Sequence, residues 1–133
     1  MKSTLFVVAT ALAISRGVPA LAQDDAIGVT PEQIKWVGST AVLYGDPAKN
    51  GPYVLRIKVA PNVVTPPHTH PQAENITVIS GSIGFGLGTV FDQSKGRVLA
   101  AGSFFYLPAN TPHFAWTGAD GAVIQAHGTG PFP

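Results

Sequence analysis

No cysteine occurs in the 133 residues. Disulfides are therefore excluded, although small exported domains commonly use them, and the fold must be held by its core, a bound metal or association. Charge is scarce. Only 11% of residues are charged, against about a quarter in ordinary globular chains. The few Lys and Arg residues form no stripe for nucleic acid and no polybasic cluster for a membrane surface. No stretch beyond residue 22 sustains helical periodicity, and no heptad, linker or low-complexity tract is present. What is abundant is Gly (15) and Pro (12), which punctuate turns and favour short strands.

The N-terminus reads as a targeting segment. Lys2 precedes an uncharged apolar run, Leu5 to Ile14, and Ala20-Leu21-Ala22 supplies small residues in an A-x-A pattern. This pattern predicts a cleaved secretory signal peptide over 1–22, with an uncleaved tether as the alternative; the apolar run is too short to span a bilayer. Cleavage would leave one domain over 23–133 with no membrane span, placed in the periplasm or secreted. Loss of Lys2 and Arg16 would turn the net charge of +1 to −1. The n-region carries no twin arginine, so export would be of the Sec type.

Strand patterns follow one another. Ile34–Ser39 and Ala41–Tyr44 are short β-type runs, and 45–52 is a turn cluster. Tyr53, Leu55, Ile57 and Val59 alternate with residues including Arg56 and Lys58, which predicts a half-buried strand with both cations outward. Glu74–Ser80 and Ser82–Thr89 read as two strands turned at Gly81. In the second, Ile83, Phe85 and Leu87 alternate with Gly84, Gly86 and Gly88, the mark of close packing against a neighbour, with ligand space as the alternative. Arg97–Ala101, Phe104–Leu107, His113–Thr117 and Ala122–Ala126 complete an all-β barrel or sandwich.

Three of the four histidines and one of the two glutamates fall into one pattern. His68 and His70 are spaced to project together from an extended segment. Glu74 opens the next strand, and His113 opens another after a Pro-bounded turn. Three imidazoles and a carboxylate converging in an apolar interior suit a divalent transition metal.

The spacing resembles the two motifs of the cupin superfamily. The first, G-x5-H-x-H-x3-4-E-x6-G, is met by His68, His70, Glu74 and Gly81, with Asn62 at the leading Gly. The second, G-x5-P-x-G-x2-H-x3-N, is met by Gly102, Pro108 and His113, with Asn110 for the middle Gly and Thr117 for the final Asn. Asn tolerates the left-handed backbone of a turn Gly, so both Asn replacements are conservative. The motifs occupy 62–81 and 102–117, and the resemblance extends over about Val54 to Gln125. The tail from Gln125 to Phe132 is similar to that of small bacterial single-domain cupins.

The resemblance implies a single-domain jelly-roll β-barrel of antiparallel strands. It also implies one metal ion on His68, His70, Glu74 and His113, with open positions for a small-molecule substrate. Glu74 is the candidate catalytic base. Dioxygenase or other oxidoreductase chemistry leads among the implied activities, ahead of lyase or isomerase chemistry. A non-catalytic metal and small-ligand binder is the alternative. For an exported chain this donor set favours Zn or Cu over Mn, Fe or Ni. Phe104, Tyr106, Phe114 and Trp116 are candidate pocket or interface aromatics, and alternation sends Trp116 outward, towards a dimer contact. His127 is read as a structural hydrogen-bonder, with a proton shuttle as the alternative. A homodimer is expected, with 34–44 as the exchange elements.

Overall fold

Among the described residues, bulky side chains that alternate with small or polar ones, cut by Gly and Pro, fold into seven antiparallel strands and two short 3-10 turns. The computed structural model describes residues 26–132, so the signal peptide expected over 1–22 lies outside the described residues. The strands are β1 (Thr40–Tyr44), β2 (Gly51–Val59), β3 (Val64–His68), β4 (Glu74–Leu87), β5 (Arg97–Ala100), β6 (Phe104–Leu107) and β7 (His113–Gly130). No helix among the described residues is long and apolar enough to cross a membrane.

β4 and β7 are long strands that each serve two layers. Their outer ends, 74–78 and 124–128, pair together and are flanked by β6 and β2, with β1 at the edge beyond β2. Their other ends, 83–87 and 113–117, pair together and are flanked by β5 and β3. The path β1-β2-β7-β4-β5 is not closed by hydrogen bonds. The two layers face one another in the jelly-roll manner predicted from the sequence.

Two expected strand pairs are thus single strands with a bend. Gly81 and Gly121 sit at φ of 68° and 63°. A Cβ on Gly81 would collide with the Gly121 carbonyl, so the two bends cross backbone to backbone. Register shifts at Val78/Ser80 and Gly81/Ile83 accompany them. The bulges invert the inward parity, from Ile76 and Val78 to Ile83 in β4. β7 inverts likewise, from His113 and Thr117 to Ala122, Ile124 and Ala126. Ile76, Val78, Ile83, Ala122, Ile124 and Ala126, with Ile57, Val59, Leu99, Phe105 and Ala115 against them, make a core that spans both layers.

The short strand expected over Ile34–Ser39 does not form. Gly38 and Ser39 instead make a tight turn with reciprocal backbone bonds between Val37 and Thr40. Gly38 supplies the required φ of 60°. Arg56 and Lys58 do point outward. Arg56 Nε donates to Gln125 Oε1 at 3.1 Å, and Lys58 Nζ lies 4.1 Å over the Trp36 ring.

The glycine face of β4 is a packing face. A Cβ on Gly84 would enter the Trp116 indole, and one on Gly86 the Phe114 ring. Phe114, Trp116 and Phe91 form an aromatic cluster on the outside of this layer, and Phe114 is fully buried in it. Gly84, Gly96 and the segment leading to β5 receive the Trp116 ring, which stays partly exposed, and the residue also borders the interior cavity.

Candidate metal centre

The histidines and the glutamate of the two motifs lie at or just beyond strand ends. His68 closes β3, Glu74 opens β4 and His113 opens β7. His70 lies just past β3, where its carbonyl accepts the Asn110 N–H at 2.7 Å. Asn62 and Asn110 have φ of 56° and 57°. Both therefore occupy the left-handed region that their motif positions demand. Thr117 replaces the motif Asn with a bond set of its own. Its Oγ1 donates to the Ala60 carbonyl at 2.6 Å and accepts the Val63 N–H at 3.0 Å. That ties the β2–β3 connection to β7 and fixes the approach of β3 to the site.

His68, His70 and His113 converge, with one ring nitrogen from each lying within 4.8 Å of the others. His68 Nδ1 lies 2.7 Å from the Pro66 carbonyl and His113 Nδ1 2.9 Å from the Thr111 carbonyl. A carbonyl can only accept, so both Nδ1 atoms carry the proton and both Nε2 atoms turn lone pairs inward. His68 Nε2 and His70 Nε2 are 3.0 Å apart. Two nitrogens about 2.1 Å from one ion and roughly at right angles to each other stand at that separation. These three imidazoles can hold a metal ion.

Glu74 faces the same space without joining the tight histidine group. Its Oε2 is 3.9 Å from His70 Nε2, and its Oε1 is buried with no hydrogen-bond partner, as is His70 Nδ1. Burial raises the Glu74 carboxyl above the ordinary carboxylate range, while the charge of His68 pulls the other way. Burial, followed by the charges of His68 and His113, lowers His70 to about 4. Burial also lowers His113, against its bond to Thr111. The histidines most enclosed are thus neutral and ligand-competent at pH 7, and an enclosed carboxylate beside them lacks a cation. A metal ion on the three imidazoles would also face the Glu74 carboxyl, so the enclosed groups fit such an ion.

The space beside the donors is a cavity of about 220 Å³. Phe85, Phe105, Ile83, Leu107, Ile124 and Phe132 are among its walls. Phe132, near the C-terminus, lies nearly parallel to the His70 ring at a centroid distance of 6.2 Å. Phe104 and Tyr106 point away from the cavity and are 56% and 57% exposed. Their pocket role is corrected in favour of Phe105. The run Phe104-Phe105-Tyr106-Leu107 is apolar throughout, so only its pairing with β4, Leu107 opposite Glu74, reveals the inward parity. The bulky face of Phe85 was legible by alternation. Phe132 had no sequence signal, because its position depends on the tail folding back over Pro47. His127 lies on the outer face beside Asn75, whose amide donates to the His127 carbonyl at 3.3 Å. That bond is to the backbone, and His127 is not among the residues lining the cavity.

The cupin domain family matches residues 55–124, more than half of the chain. The chain belongs to this family. A curated relative, germin-like protein 5-1 of Oryza sativa subsp. japonica, is 36% identical over 80 residues. That match covers 57% of this chain and 35% of the relative, so the chain spans about a third of that protein's length. Among solved structures, the polyketide cyclase RemF from Streptomyces resistomycificus superposes with a TM-score of 0.61 at 23% identity, covering 78% of this chain and 79% of that one. Bacillus subtilis oxalate decarboxylase, described with Mn(II) centres, gives 0.55 at 20% identity, covering 71% and 26%. At these identities the structural likeness carries the fold alone.

Proposed function

We propose that this chain is an exported, metal-dependent cupin that takes a small oxygen-chelating molecule. Its chemistry is of the oxidoreductase type, with dioxygenase chemistry foremost, at a centre formed by His68, His70, Glu74 and His113. The observation that carries this reading is the enclosed Glu74 carboxylate, partnerless at Oε1, opposite three convergent imidazoles. A divalent ion held there supplies a Lewis acid with open positions for ligand oxygens. Glu74, the one carboxylate lining the cavity, takes the proton of an enol or phenol at its free oxygen. The apolar walls exclude water from everything but the donor cluster.

Export rests on Lys2, the Leu5–Ile14 run and Ala20–Ala22. It puts metal acquisition outside the cytoplasm, where this donor set favours Zn or Cu. The Mn(II) centres of the oxalate decarboxylase give a precedent for a metal in this fold. The tail similarity to small bacterial single-domain cupins supports a chain of that type. A homodimer is supported by β1, an edge strand with Val42 and Tyr44 about half exposed. Sedimentation at micromolar concentration checks it, and a monomer rejects it.

Oxygen uptake tests the activity. The protein is reconstituted separately with Zn, Cu, Mn, Fe and Ni and supplied with chelating enols and phenols. Consumption above the free-metal control with one metal and one ligand class supports the enzyme. A second reading, a non-catalytic metal and small-ligand binder, is favoured by one observation: beyond the donor set, Thr65 is the polar side chain facing the cavity. Micromolar ligand binding with no turnover on any metal selects that reading.

A further inference from the structure

We infer that the cavity selects ligands with a flat apolar body and a singly charged, two-oxygen head, and discriminates against dicarboxylates. This inference rests on the metal reading above and specifies the ligand class of that site.

The walls carry the first half of the argument. Phe85 and Phe105 pack with centroids 4.2 Å apart and ring planes tilted by 31° on one side, and Phe132 lies along His70. Ile83, Leu107 and Ile124 fill the rest of the boundary. An apolar cavity of about 150 Å³ already accommodates benzene, and this one is about 220 Å³. A ring attached to a chelating head therefore fits, and each buried carbon of it gains transfer energy that a bare chelator does not.

Charge carries the second half. Coordination to an ion requires neutral imidazoles, so three of them with one carboxylate and one divalent ion would leave a single positive charge. A monoanionic head neutralises it. A dianion leaves one negative charge in an apolar enclosure, where it is costly without a partner. Among the described residues no Lys or Arg lines the cavity, and Lys35 is exposed. Arg56 is engaged by Gln125 on the outer face and Lys58 lies over Trp36. Lys49 and Lys95 pair with Asp46 and Asp92 at the surface, and Arg97 is exposed.

Calorimetric titration of the zinc-loaded full chain tests this without relying on turnover. Zinc content is measured first. Acetohydroxamate and benzohydroxamate share one monoanionic head and differ only in the ring, and oxalate supplies the small dianion. The expected result is benzohydroxamate at least about tenfold tighter than acetohydroxamate, with oxalate the weakest of the three. Equal affinity of the two hydroxamates, or oxalate as the tightest ligand, overturns the inference while a retained zinc leaves the metal centre standing. A chain that retains no zinc overturns the metal reading, and the inference falls with it.

Discussion

Replacing Thr117 by Val tests how the second motif is held together. Thr117 is buried, and its hydroxyl serves two backbone groups of the β2–β3 connection. Val preserves the shape and removes both bonds. The Ala60 carbonyl loses its donor and the Val63 N–H its acceptor, while the Thr117 N–H keeps its bond to the Val63 carbonyl at 2.9 Å. An unsatisfied, largely enclosed group costs roughly 1–3 kcal/mol. Two such groups, neither fully sealed from water, give roughly 2–4 kcal/mol. For a domain of this size that corresponds to a fall in melting temperature of roughly 8–20 °C. Urea and thermal unfolding followed by tryptophan fluorescence give the number. Thr117→Ser keeps the hydroxyl and should recover most of the loss, and Thr117→Asn restores the family motif residue. A Thr117→Val protein within about 0.5 kcal/mol of the parent, the range of an ordinary surface substitution, would refute the bonding scheme.

Other outcomes follow from the same geometry. Gly84→Ala places a methyl into the Trp116 indole and should cost about 1–3 kcal/mol in urea unfolding, with the cost shrinking in a Trp116→Leu background. Gly84 has no positive φ, so backbone strain contributes nothing to that loss. In metal-free protein His70 accepts its proton only near pH 4, whereas an unfolded histidine does so at about 6.5. The unfolded state then binds more protons across that window, and stability falls as the pH drops through it. The urea midpoint should decline from pH 7 towards 4.5, less steeply in His70→Gln; equal slopes count against the placement of His70. Glu74 has the opposite sign, because its folded pKa is raised above 4.5. Its enclosed charge weakens the metal-free chain above its folded pKa, and the penalty vanishes below 4.5. Glu74→Gln should therefore raise metal-free stability at pH 7, leave it unchanged at pH 4, and weaken metal retention. A stability gain that persists at pH 4 contradicts this reading.

The candidate centre was legible because its signal is local. His68, His70 and Glu74 lie within seven consecutive residues, and Pro108 and Asn110 position His113 from its own side. The left-handed backbone at Asn62 and Asn110 was legible for the same reason. Longer-range features were not. Gly81 reads as a turn from its neighbours alone, yet the β4–β7 ladder carries the chain through it as a bulged strand. Gly118 to Gly121 read as a turn and form the matching bend in β7. The outer aromatic cluster depended on which strand faces the glycine row: alternation sent Trp116 outward but could not place its ring on Gly84 and Gly96. Phe105 and Phe132 reach the cavity through strand pairing and tail placement, neither of which a local pattern encodes.

The central claim is that the three imidazoles and Glu74 form one metal centre. Metal stoichiometry tests it most directly: elemental analysis of protein dialysed after loading with Zn, parent beside His113→Ala. One ion per chain is expected in the parent and loss of most of it in the variant, with the circular dichroism of the strands retained. A parent that retains no ion, or a folded His113→Ala protein that still holds one ion per chain, would contradict it.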